Sequence, residues 1–177
     1  DLRKPLFDAL ATLDRCLARL PEATHVDSLR GFEGAAAAAY FRAYPCLFPK
    51  ALGFNQRKRR PPPDPVNACL SLGYTMLYGM ALESCHARGL DPMLGYLHGP
   101  CHGRASLACD LMEPWRPHVD ALVWNLFRKR RLEAEHFGRD GSGACLLGKA
   151  GRSTFYAVWA SASRPLRRAL RRHAALT

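Results

Sequence analysis

The chain has 177 residues, of which 48% are apolar, enough for one globular domain with a real core. The chain therefore reads as globular and not disordered, one domain or one domain plus a tail, and no apolar run approaches the length of a membrane span. The 26 Lys and Arg outweigh the 15 Asp and Glu by 11, mostly as Arg, which points to a polyanionic partner bound through planar phosphate contacts, or to an acidic membrane surface.

The opening stretch DLRKPLFDAL starts at once with an amphipathic pattern instead of a secretory leader, and its first residue is Asp, as in a piece of a longer protein. Seven cysteines without framework spacing read as reduced thiols, and the cytoplasm is the expected location.

In chain order, Leu6, Leu10, Leu13, Leu17 and Leu20 recur at helical spacing, and Pro21 ends that helix. A second helix is predicted from His25–Ser28 to about Tyr44, through the alanine run Ala35–Ala39, with Glu33 beside Gly34. Residues 47–64 read as loop, because Gly53, the run Arg57-Lys58-Arg59-Arg60 and Pro61-Pro62-Pro63 cannot continue a helix. Asp64 and Pro65 cap a third helix whose stripe of Val66, Cys69, Leu70, Gly73, Met76, Leu77 and Met80 marks it as the central core helix, ending at Gly89. A fourth long helix carries Val119, Leu122, Val123, Leu126 and Phe127 and closes on Arg128 to Arg131. Phe137 to Gly148 is a Gly-rich loop or short hairpin. The helical pattern then resumes from Arg152, with Pro165 starting a final Arg-rich piece. The expected fold class is all-α.

The chemistry gathers in Leu97–Pro117. His98 precedes a Gly/Pro-rich loop, and a helix opens at Ser106, a candidate N-cap, carrying Asp110 and Glu113 three residues apart on one face. Two acids side by side repel unless a cation lies between them. With one imidazole, they suit a Mg2+ or Mn2+ site. The competing reading is a solvated acid pair and a structural histidine.

Three pieces stand in a telling order: Arg30-Gly31-Phe32-Glu33-Gly34; the stretch from Arg59 through Asn67 to Tyr74; and Gly89 through His98 to Glu113. Together they resemble the CRISPR-associated spacer-acquisition integrase and endonuclease (Cas-one) family, specifically over Asp27 to Val123 and more weakly over Leu146 to Trp159. The resemblance implies an α-helical catalytic domain in which Glu33, His98 and Glu113 bind a divalent metal, with Asp110 as a nearby assisting acid. It also implies a β-rich N-terminal domain outside this chain that supplies most of a homodimer contact, a small CRISPR partner subunit, and in some members a fused reverse transcriptase. The implied reaction joins prespacer 3′-hydroxyl ends to the CRISPR repeat. Residues 1–24 would form a leading helix, 25–136 the metal-site core and 137–177 a basic loop and helix.

In that reading Arg57, Lys58, Arg59, Arg60 and Arg104 hold DNA phosphates, which positions DNA without reading its sequence. Asn67 and Tyr74 support the site or serve as core and cap residues; both roles fit. Two rivals stand beside it. One is a zinc site from Cys85, His86, His98, Cys101, His102 and Cys109, which lacks any CxxC pair. The other is a non-catalytic basic nucleic-acid-binding module, in which the acids are indifferent.

Overall fold

The structure, a computed structural model, describes residues 3–177. These fall into two compact units that divide within the basic run, the first ending at Lys58 and the second comprising Arg59–Thr177.

In the first unit, α1 (Arg3–Arg19) and α2 (Val26–Ala43) pack together. The leucine periodicity of α1 does produce a helix, but its apolar stripe stays largely in solvent. Leu10 and Leu17 are exposed, Phe7 is 66% exposed, and Ala9 is the one buried residue of the described helix. The unit's apolar centre lies instead after α2, where Tyr44, Phe48 and Phe54 bury edge-to-face, with ring centroids 5.0–5.9 Å apart.

The second unit is built on α3 (Pro65–His86). Asp64 caps it as expected. Its carboxylate accepts the Asn67 backbone N–H at 2.8 Å and the Asn67 side-chain amide at 2.7 Å. Pro65 fills the first turn, where no amide partner is needed. Of the core stripe, all but the half-buried Met76 are buried, and Asn67, Ala68, Tyr74 and Cys85 are buried too. Burial therefore wraps most of the way around α3, and each large side chain contributes about 1.5–3 kcal/mol before entropy is charged. The helix ends in paired bonds: Gly89 N–H to the His86 carbonyl, and Leu90 N–H to the Cys85 carbonyl. Gly89 sits at φ +70°, where a Cβ would be strained.

Around α3 lie α4 (Ser106–Met112), α5 (Arg116–Arg128) and α6 (Lys149–His173). Two local expectations change. Ser106 is the first helical residue of α4 and not its cap; its hydroxyl donates to the Gly99 carbonyl, while the Ala105 amide is taken by the Tyr78 hydroxyl. Pro165 starts no separate piece but lies inside one continuous α6, since the buried Phe155, Trp159, Leu166 and Leu170 keep a single stripe on both sides of it. Phe137 to Gly148 is the hairpin: β1 (Phe137–Arg139) pairs antiparallel with β2 (Cys145–Leu147), and the Cys145 amide donates to the Pro62 carbonyl.

Helix α3 meets α5 closely at Gly73. A Cβ there would come within 2.5 Å of the Val119 side chain. Gly73→Ala should therefore cost about 1–3 kcal/mol by overpacking, seen as a lower thermal midpoint; an unchanged midpoint would show that the interface yields.

The seven cysteines are free. Burial, then the nearby Cys145 and Asp64, pushes the Cys69 thiol well above its ordinary range, while Cys101 is exposed. A raised pKa leaves less thiolate at any given pH. Iodoacetamide at mildly alkaline pH should thus label Cys101 early and Cys69 only on unfolding, as read by peptide mass spectrometry.

Candidate active site

The site grows from a loop that lacks regular hydrogen bonding of its own. After α3 the chain passes through Leu90 to Ala105 with little secondary structure, so its amides need other acceptors. Asp110, buried on α4, provides them. Its Oδ2 accepts the backbone N–H of Tyr96 at 2.7 Å and of Leu97 at 3.0 Å; its Oδ1 accepts that of His98 at 2.9 Å. Oδ1 also lies 2.6 Å from His98 Nδ1. One carboxylate thus fixes three successive residues and one imidazole.

Close approach makes this geometry possible. A Cβ on Gly95 would fall 2.6 Å from the His98 carbonyl oxygen and 2.7 Å from Asp110 Oδ2. Arg104 braces the same loop, donating to the Gly99 carbonyl at 2.8 Å, with its Nε buried and unbonded.

With Nδ1 turned to Asp110, His98 presents Nε2 outward. His98 and Glu113 each bring one potential ligand atom within 4.8 Å of the other's. Glu113 follows α4 in a short 3-10 turn and is half-buried. The Arg116 guanidinium donates to both its oxygens, at 2.9 and 3.0 Å. Arg116 in turn lies over the Tyr74 ring, 4.9 Å from its centroid, and the Tyr74 hydroxyl donates to the buried Asp120.

The remaining expected residues are placed as follows. Glu33 lies in the first half of α2, in the first unit. Asn67 is buried at the start of α3 as partner of the Asp64 cap. Lys58, Arg59 and Arg60 are exposed, and Arg57 is half-buried with its guanidinium donating to the Lys58 carbonyl. Two expectations shift. Asp110 turns each oxygen to two contacts, three loop amides and the His98 ring, so its visible role is to hold the loop and the imidazole. Arg104 is committed to the loop through one guanidinium nitrogen, which weakens its reading as a phosphate contact. Among the described residues, Cys85, His86, Cys101, His102 and Cys109 are not gathered into a metal-binding set, and the zinc reading falls.

Sequence reading missed Gly95 and Arg116. Arg116 had a signal, lying three residues after Glu113, the spacing at which neighbouring side chains meet on a helical turn. Gly95 had none, because only the fold brings α4 against it.

A family model described as CRISPR associated protein Cas1 matches residues 1–161. The chain belongs to this family. It is 47% identical over 135 residues to a CRISPR-associated endonuclease Cas1 of Thermodesulfovibrio yellowstonii, covering 76% of this chain and 42% of that protein. Among solved structures, the partial Cas6-RT-Cas1–Cas2 complex matches with a TM-score of 0.88 and 28% identity, over 97% of this chain and 55% of that one. A casposase bound to integration product matches with a TM-score of 0.77 and 25% identity, over 91% of this chain and 50% of that one. The chain spans about half the length of the curated relatives it matches, 42–54% for the first five. No helix of the described residues is long and apolar enough to cross a membrane.

If Asp110 holds the loop, Asp110→Asn should set its amides free, since an amide side chain turns an N–H2 toward donors. A loss of about 2–3 kcal/mol is expected. Hydrogen exchange at Tyr96, Leu97 and His98 should quicken, whereas Glu113→Gln should leave those amides protected.

Proposed function

We propose that this chain is the catalytic part of a divalent-ion-dependent CRISPR integrase and endonuclease. It joins prespacer 3′-hydroxyl ends to the CRISPR repeat by transesterification. The observation that carries the proposal is the His98–Glu113 pair: an imidazole locked by Asp110, with a carboxylate ligand atom within 4.8 Å. One imidazole nitrogen with carboxylate oxygens fits Mg2+ or Mn2+. Family resemblance assigns Glu33 as the third donor. Such an ion, when bound, supplies positive charge that favours the attacking alkoxide and balances charge on the phosphate.

The protein's own residues do the positioning. Asp110 holds the His98 ring in one tautomer and orientation, as partners of ligating histidines commonly do. Arg116 fixes the Glu113 carboxylate and offsets its charge. Tyr74 then supports the site indirectly, through its contact with Arg116, while Asn67 serves the cap. The exposed cations of the run Arg57–Arg60 hold phosphates. In the joining step, the 3′-oxygen forms a bond to phosphorus as the bond to the leaving 3′-oxygen breaks.

The likeness to a Cas6-RT-Cas1–Cas2 complex and to a casposase bound to integration product supports the partners in this reading: DNA, a small Cas2-type subunit, and in some relatives a fused reverse transcriptase. A homodimer of the full-length protein is part of the same reading.

In the full-length assembly, Glu113→Ala should reduce joining of a 3′-hydroxyl DNA end to a repeat-containing target by at least about a thousandfold, while DNA affinity stays within about twofold. Strand transfer that survives this change would leave the non-catalytic binding module as the reading. Arg59→Ala with Arg60→Ala should weaken binding to all DNA sequences about equally and lower the salt slope by roughly one unit per lost phosphate contact. An unchanged slope returns the run to plain solvated surface.

A further inference from the structure

A second feature of the Arg59–Thr177 unit lies apart from His98 and Glu113. Helices α5 and α6 flank an open groove of about 610 Å3. Leu122, Leu126, Trp159 and Leu166 lie buried at its base, and its accessible apolar walls are the half-buried Val158, Ala162 and Ala169 with the exposed Ala121 and Pro165. Small residues spaced among large ones leave room for another backbone to come close.

The charges that line the groove have one sign. Lys129, Arg131 and Arg172 border it, and Lys129 and Arg131 directly follow α5 while Arg172 stands in the last turn of α6. Among the described residues, no Asp or Glu lines it. All three cations are exposed, and none forms an ion pair with a carboxylate among the described residues. Their neighbours are already engaged: Arg128 lies 4.7 Å over the Trp124 ring, and Arg130 pairs with Glu133 at 3.2 Å.

From this charge pattern we propose that the groove is a docking site for an acidic amphipathic helix of a partner protein. The apolar walls would take side chains at i, i+3, i+4 and i+7, and the cations would meet carboxylates along the helix edge. Duplex DNA offers a charged backbone but no apolar stripe, so it leaves the accessible apolar walls at Ala121, Val158, Ala162 and Pro165 unused.

The test is selection of displayed 16-residue helical peptides, randomised at every position, against the protein. The expected winners carry Asp or Glu together with an i, i+3, i+4, i+7 apolar stripe. Their affinity should fall at least tenfold with Ala121→Glu, an exposed position in the groove, and tenfold again with Lys129→Glu plus Arg131→Glu. Circular dichroism of the variants checks that they fold. Overturning outcomes are selection of basic or non-amphipathic peptides, equal binding to Ala121→Glu, no enriched family, or a 30-base-pair duplex that displaces the peptides and itself loses affinity with Ala121→Glu. The last outcome would mark the groove as a nucleic-acid surface.

Discussion

The second unit's chemistry depends on one buried carboxylate. Asp110 is the acceptor for three consecutive loop amides and for an imidazole, so the loop's conformation and the direction of His98 are a single property. A buried ion survives only when its lone pairs are filled, and here the loop fills them. The loop in turn has no other way to satisfy those amides. This mutual need explains why Gly95 tolerates no side chain and why α4, only seven residues long, can hold a functional loop in place.

A second layer of support is cationic. Glu113 stands near a histidine with Arg116 across both its oxygens, and Arg116 rests on Tyr74, whose hydroxyl is held by Asp120. Charge, aromatic face and buried acid run in sequence from α3 through α5. The Tyr74 ring sets the plane on which the guanidinium lies. The Arg116 Nε is buried there with no hydrogen-bond partner among the described residues.

Membership of the Cas1 family agrees with this reading. The strongly basic composition also divides by role once the fold is seen. Arg104 and Arg116 are spent inside the protein, on a loop carbonyl and on a carboxylate. Arg59 and Arg60 face solvent, as do Lys129, Arg131 and Arg172 around an apolar groove. A net charge of +11 therefore overstates the surface available for phosphate.

Sequence alone determined the helices and the candidate residues. Periodicity placed α1 to α3 and α5 to within a few residues, because apolar spacing and Pro/Gly punctuation act locally. The ordered set around Glu33, His98 and Glu113 pointed to the family. Only tertiary structure decided the rest. It left the α1 stripe in solvent, since periodicity reports a face but not what covers it. It ran α6 straight through Pro165, because packing on both sides outweighs one missing amide bond. It also showed Asp110 as the holder of His98. That role depends on amides 12 to 14 residues away in sequence, which no local pattern can bring within hydrogen-bond distance.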